Sequence, residues 1–322
     1  MDRPRPCSCK GIRTCLICEK YYGISKNDFL STVKNNPTYV YCPLCNKAWP
    51  GWDMNDYKAH PDHVGSSIDF QGVFIQNYGP KCNFKKKRLA PGDFKGFPEF
   101  SKFVQDKFKN VDILENYQTI EQCSLEYDPS RGASIDPHID DCWVWGERIV
   151  TVNLLEDSVL TMTRFSGELT RYNLLDVSTY PPVLDEKGHL IERPLSIDAY
   201  ETTCSKTMAA THQHCLAPYS NVSPNINRDF VDKFDDCSDS EKADIVVRIP
   251  MPKRSLLVLY GQARYSWEHS VFREDIPSRR VCLAYREFTP PFLKGGRCAD
   301  KGLDILERSK EFWGHEPIIN TQ

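Results

Sequence analysis

The sequence predicts a mainly β fold, a sandwich or barrel-like arrangement with peripheral helices and a Cys-rich N-terminal extension. Three observations predict it. Seven short stretches read as strands, and only two read as helices. Residues 1–64 hold six of the 14 cysteines and show little periodicity.

Taken in order, Asp69–Asn77 is the first strand candidate. Pro98–Lys109 reads as a short amphipathic helix, because Phe100, Phe103, Val104 and Phe108 recur at near-helical spacing. Ile120–Tyr127, Arg148–Leu155 and Val159–Phe165 follow as strands. In the second of these, Val150, Val152 and Leu154 alternate with Thr151 and Asn153. From about 176 to 242 the character changes: Pro181-Pro182, Ser/Asn-rich pieces and the acidic cluster Asp235-Asp236-Cys237-Ser238-Asp239 share no sustained period. This stretch reads as a long insertion. Strands resume at Ile245–Ile249, Ser255–Tyr260 and Arg279–Phe288, and Asp304–Phe312 reads as a closing helix. The expected organisation is a Cys-rich, zinc-binding region over 1–64, a β domain over 65–295 that carries the insertion, and a C-terminal helix and tail over 296–322.

The 322 residues are enough for one large domain, or for a domain with a small appendage. With 41 Lys+Arg against 44 Asp+Glu, the net charge of −3 excludes a general attraction to duplex nucleic acid or an acidic membrane. Any such contact must come from a local patch, and Lys85-Lys86-Lys87-Arg88 is the densest basic one noted. No apolar run approaches the roughly 18 residues of a membrane span. The opening residues, Met1-Asp2-Arg3-Pro4-Arg5-Pro6, carry no apolar stretch of the secretory kind, so the chain is expected in the cytoplasm and nucleus. In such a reducing compartment, cysteines serve as buried apolar groups or metal ligands.

Two cysteine sets stand out. Cys7, Cys9, Cys15 and Cys18 form C-x-C-x5-C-x2-C, four thiolates close enough to surround one tetrahedral zinc. A segment this short cannot bury a core, so a metal would supply its folding energy. An iron–sulfur cluster is the minor option, and plain thiols in a tail are the alternative. Cys42, Cys45, His60 and His63 form C-x2-C-x14-H-x2-H, which resembles a Cys2His2 zinc site with Trp49 and Tyr57 for packing. Its histidines stand one residue closer than usual. The alternative is a loop with surface histidines.

The core constellation is His138-Ile139-Asp140. On a strand, residues i and i+2 share a face, so an imidazole and a carboxylate converge as two arms of a 2-His-1-carboxylate site for Fe(II). The motif alone is weak, since His60-Pro61-Asp62 repeats it elsewhere. A third ligand is offered by His269, expected on one strand face with Tyr265 and Trp267. Arg280, Cys282, Ala284 and Arg286 then share another face. Two arginines separated by small side chains leave room for a dicarboxylate and supply fork-shaped partners for it. The alternative, surface arginines on an edge strand, does not explain the small residues between them.

The order H-x-D, His, then R-x5-R is similar to the AlkB branch of Fe(II)/2-oxoglutarate dioxygenases. Longer blocks carry the resemblance further, into the fourth-homologue subfamily of animals: Cys9-Lys-Gly-Ile-Arg-Thr-Cys-Leu-Ile-Cys18, Tyr78-Gly-Pro-Lys81, Glu126-Tyr-Asp-Pro-Ser-Arg-Gly132, Asp136-Pro-His-Ile-Asp-Asp141, Trp143-Val-Trp-Gly-Glu-Arg148 and Arg279-Arg-Val-Cys282. The resemblance implies a double-stranded β-helix, or jelly-roll. It implies Fe(II) at His138, Asp140 and His269, and 2-oxoglutarate held at its distal carboxylate by Arg280. It places Arg286 near the metal-side carboxylate or the substrate, and gives Tyr127 a hydrogen bond to the cosubstrate. The implied reaction is oxidative removal of N-methyl groups, with 2-oxoglutarate split to succinate and CO2 and the methyl carbon lost as formaldehyde. The implied substrates are monomethyl-lysine of actin and N-methyladenine in DNA; the competing reading is a catalytically weak, zinc-stabilised adaptor for actin or chromatin.

Two departures follow from the same resemblance. The wider motif has Asn where this chain has Leu125 and Cys282. Family members also carry an acidic helix and a basic loop before Tyr-Gly-Pro-Lys, whereas here Gln76-Asn77 runs directly into Tyr78. Part of the substrate grip is therefore expected to be missing.

Overall fold

The computed structural model describes residues 12–23, 29–42, 45, 47–53, 60, 68–69, 77–181, 183–185, 189–191 and 245–314. Cys7, Cys9, His63 and most of the predicted insertion lie outside these residues.

Among the described residues there are seventeen strands: β1 (Arg13–Thr14), β2 (Thr38–Cys42), β3 (Lys47–Pro50), β4 (Ile68–Asp69), β5 (Asn77–Tyr78), β6 (Lys81–Asn83), β7 (Arg88–Ala90), β8 (Phe97–Pro98), β9 (Glu121–Tyr127), β10 (Ser134–His138), β11 (Trp145–Asn153), β12 (Ser158–Arg164), β13 (Val246–Met251), β14 (Ser255–Leu259), β15 (Trp267–Val271), β16 (Arg280–Phe288) and β17 (Phe312–Trp313). The helices are α1 (Leu16–Tyr22), α2 (Phe29–Lys34), α3 (Glu99–Phe108), α4 (Gly261–Tyr265) and α5 (Ala299–Arg308). Among the described residues no helix is long and apolar enough to cross a membrane.

The strands form a jelly-roll of two main sheets. The larger has eight strands in the order β1-β10-β15-β12-β13-β2-β3-β4, and the smaller has five in the order β14-β11-β16-β9-β5. All neighbours in both are antiparallel except β13 and β2, which run parallel. Alternation explains the core. Leu160 and Met162 of β12, Val247, Ile249 and Met251 of β13, and Trp267 and Val271 of β15 point inward. From the smaller sheet Ile149, Cys123, Tyr127, Cys282 and Ala284 meet them.

The smaller sheet is also covered outside, which is why β16 is buried on both faces. Phe108 at the end of α3 stands edge-on to Tyr285, with ring centroids 5.0 Å apart. Val150, Val258 and Leu283 complete that outer layer. A strand buried on both sides reads as a near-continuous apolar run, so arginines within it need partners.

The closing helix differs from the sequence expectation. It covers Ala299–Arg308, and Phe312 and Trp313 instead pair in parallel with Phe97 and Pro98. A Cβ on Gly302 would sit 1.9 Å from the Phe292 carbonyl oxygen, so only glycine allows this approach. The strand expected at Asp69–Asn77 is described only at its ends, in β4 and β5. The Cys-rich stretch contributes β1, β2 and β3 to the same large sheet as the core strands.

Candidate iron and cosubstrate site

His138 is the last residue of β10, and His269 lies at the middle of β15, directly opposite it in the antiparallel register. Their ring centroids are 4.1 Å apart. Asp140 lies beyond the strand end, in the loop that follows. Strand alternation therefore does not hold it, contrary to the sequence expectation; two arginines do. Arg286 Nη2 donates to Asp140 Oδ1 at 2.7 Å. Arg264 Nη1 donates to the Asp140 carbonyl at 2.8 Å. Arg264 also donates to the carbonyls of Trp145 at 3.1 Å and Gly146 at 3.2 Å, so one buried guanidinium staples the whole turn. Tyr265 belongs to α4 and not to the strand of His269, which corrects the expected shared face.

Ligand atoms of His138, Asp140 and His269 lie within 4.8 Å of one another, and all three residues are buried. His138 Nδ1 is 2.9 Å from the Asp136 carbonyl oxygen. A carbonyl only accepts, so Nδ1 carries the proton and the lone pair sits on Nε2. Burial pushes the pKa of His138 down, and that of His269 well down, so both rings are neutral donors. Burial alone would raise Asp140. The Arg286 guanidinium, with smaller help from His269, His138 and Arg264, instead holds it below the usual carboxylate range. His138 Nε2, His269 Nε2 and Asp140 Oδ2 are buried without a hydrogen-bond partner. Three orphaned donors of this kind fit a shared divalent cation, and two imidazoles with one carboxylate suit Fe(II).

The arginine lane of β16 is set by its neighbours. Arg280 pairs in register with Tyr127, Cys282 with Leu125, Ala284 with Cys123 and Arg286 with Glu121. Arg280 is fully buried, and its guanidinium lies 4.8 Å from the Tyr127 ring centroid. Its Nε donates to Asn153 Oδ1 at 3.0 Å. Asn153 Nδ2 faces the carbonyls of Met251 at 2.7 Å and Glu156 at 2.8 Å, which orients the amide oxygen toward the arginine. Asn153 thus supplies a polar contact where Leu125 and Cys282 cannot. The Tyr127 hydroxyl and Thr151 Oγ1 are buried and unpartnered. A cationic fork beside orphaned hydroxyls fits a carboxylate-bearing cosubstrate.

Arg286 is placed differently from an open cosubstrate contact. Its Nη1 donates to Glu121 Oε2 at 2.5 Å while Nη2 holds Asp140. It serves as a bridge between two carboxylates. Burial raises the Glu121 pKa to about 7 despite Arg286. The Tyr78-Gly-Pro-Lys81 motif gains a reason here: β5 runs along β9, and a Cβ at Gly79 would lie 2.8 Å from Glu121 Cγ.

Of the cysteine candidates, Cys15 caps the start of α1 and Cys18 lies within it, both buried. Cys42 ends β2, and its sulfur lies within 4.8 Å of ligand atoms of Cys45 and His60. Sequence reasoning missed Glu121, Asn153 and Arg264. The first two could have been found by aligning the alternations of β9, β11 and β16; nothing local signals Arg264.

No family model matches the chain. Among curated proteins it is 33% identical to the human "Alpha-ketoglutarate-dependent dioxygenase alkB homolog 4" over 344 residues, covering 96% of this chain and 95% of that protein. The mouse protein of the same name is also 33% identical, over 332 residues and the same shares. A Caenorhabditis elegans "DNA N6-methyl adenine demethylase" is 24% identical over 346 residues, covering 93% of each chain.

Proposed function

The chain belongs to the AlkB family of 2-oxoglutarate-dependent dioxygenases, and from that premise we propose that it removes N-methyl groups from methylated nucleic acid. In this reading His138, Asp140 and His269 hold Fe(II), while Arg280 and Tyr127 hold the distal carboxylate of 2-oxoglutarate. When bound there, iron would supply the oxidising chemistry by which dioxygen and 2-oxoglutarate are consumed and the methyl carbon hydroxylated. The protein does the rest. Arg286 and Arg264 fix Asp140, Asp136 fixes the tautomer of His138, and the buried surroundings exclude bulk water from the centre. Loss of formaldehyde from the hydroxylated product restores the unmethylated nitrogen. The observation that carries the enzymatic reading is the set of three orphaned, buried ligand atoms. An adaptor has no use for them.

The substrate class rests on the β6–β7 hairpin. Between Lys81 and Arg88 it carries five basic residues and no acidic one. Lys81 pairs with Asp93 and Lys87 with Asp176, while Lys85, Lys86 and Arg88 are exposed. Phe84 at its tip is exposed and lies edge-on to Trp145, with centroids 6.4 Å apart. The Trp145 ring in turn lies 5.8 Å from the guanidinium of Arg286. An exposed ring among exposed cations, one aromatic step from the Asp140 clamp, suits a base to stack and phosphates to neutralise. The name of the worm relative supports the same class. Monomethyl-lysine in a protein such as actin is the competing substrate.

The test is a side-by-side assay of the iron-loaded protein with an N6-methyladenine single strand and a monomethyl-lysine peptide. Formaldehyde is expected from the strand, and it should fall at least about tenfold when Phe84, Lys85 and Arg88 are replaced by Ala. Formaldehyde from the peptide alone assigns the enzyme to protein demethylation. Formaldehyde from neither, with succinate still formed, points to a missing grip before Tyr78.

A further inference from the structure

We infer that the protein holds a structural zinc ion between Cys42, Cys45 and His60, separate from the iron centre. His60 lies 15 positions beyond Cys45, yet the three ligand atoms lie within 4.8 Å of one another. Cys42 is the last residue of β2 and is fully buried; Cys45 sits on the turn toward β3; His60 is delivered by the chain beyond that hairpin. Neither sulfur is part of a disulfide.

The donor set differs in kind from the iron centre. Two sulfurs and one imidazole are soft to borderline ligands, which select zinc over Fe(II). The outer contacts agree. Trp49 Nε1 lies 3.3 Å from Cys45 Sγ. An indole N–H only donates, so the sulfur accepts, as a metal-bound thiolate does from its surroundings. The hairpin itself is short: β2 has five residues and β3 four. A metal at its turn would tie that turn to the chain that carries His60.

Placement gives the site its role. β2 pairs in parallel with β13, matching Thr38 with Val246 and Val40 with Arg248. β13 pairs with β12, and β12 with the His269 strand, β15. The zinc would therefore pin the turn of a hairpin that belongs to the same sheet as both histidines of the iron centre. It stands apart from the reaction.

The experiment uses the full chain, purified under reducing conditions without chelator. Elemental analysis is compared between wild type and the Cys42→Ser, Cys45→Ser double variant. The double variant should contain one zinc fewer per chain, whatever the Cys7–Cys18 region holds. Its capacity for added Fe(II) should be unchanged. Should the variant fail to fold, wild type alone decides by alkylation mapped by mass spectrometry. Cys42 and Cys45 should resist alkylation as purified and react once a zinc chelator is added. Equal zinc in the folded double variant and wild type overturns the proposal. So does alkylation of both thiols that ignores the chelator.

Discussion

Among the described residues, the two side-chain clusters suited to metal are built on opposite plans. The His138–Asp140–His269 centre draws its donors from β15, from the end of β10 and from the loop beyond it, and protein contacts hold it in place. Arg286, Arg264 and the Asp136 carbonyl fix its geometry without any ion. The Cys42–Cys45–His60 cluster sits at the turn of the β2–β3 hairpin, near one end of the eight-strand order, with Cys45 and His60 less buried than Cys42. On the proposed reading, the first would keep its geometry without metal, and the second would draw local order from its zinc. A site that must exchange cosubstrate and product is preorganised by arginines; a site that only staples an edge relies on the ion itself.

The largest expected contrast is catalytic. His138→Ala, Asp140→Ala or His269→Ala should each reduce succinate formation to background while circular dichroism stays native. Full turnover in His269→Ala would remove the third ligand from the account. Next comes the bridge between the carboxylates. Arg286→Ala leaves Asp140 and Glu121 buried and unpaired, and should destabilise the fold by about 3–5 kcal/mol in denaturant melts. A loss below about 1 kcal/mol would mean that the bridge does not hold the loop. Arg280→Ala should weaken 2-oxoglutarate binding by about 2–3 kcal/mol, read by calorimetry on the metal-loaded protein. Arg279, whose side chain pairs with exposed Glu126, should change binding little. Equal effects of the two would mean that the wrong face of β16 meets the cosubstrate.

A smaller effect tests the buried acids outside the centre. Burial raises Glu147 to about 7, against an ordinary value of 4.5. The folded state therefore binds its proton more tightly than the unfolded state. Its contribution is full below about pH 4.5 and is lost as pH rises through about 7. Thermal melts from pH 5 to 8 should fall less steeply in Glu147→Gln than in wild type. Parallel slopes would show that Glu147 does not titrate there. Smallest of all is Lys87–Asp176, a 2.8 Å pair at a partly exposed site. Its removal should cost about 0–1 kcal/mol and less in high salt.

Much of the centre was legible because strands alternate. Arg280, Cys282, Ala284 and Arg286 all turn inward, as their spacing requires. His138 and His269 meet because one residue ends a strand and the other faces it across the ladder. What local patterns could not show is register. Glu121 matters only because it falls opposite Arg286, and Asn153 only because it falls opposite Cys282. Arg264 acts from a five-residue helix on carbonyls more than a hundred positions away, which no spacing encodes. The closing helix departs from its sequence pattern for a related reason. Phe312 extends an apolar pattern in sequence but is claimed by a distant strand, Phe97–Pro98. The pairing of β2 with β13 was hidden too, since short alternation among cysteines gives no sign of a partner two hundred residues away.

The most direct test of the central claim measures succinate and formaldehyde together. The iron-loaded chain is given 2-oxoglutarate and an N6-methyladenine strand, with His269→Ala and Arg280→Ala in parallel. The account predicts formaldehyde from wild type only in company with succinate. It predicts neither product from His269→Ala, and recovery of Arg280→Ala at high 2-oxoglutarate. Formaldehyde released equally by wild type and His269→Ala would contradict it.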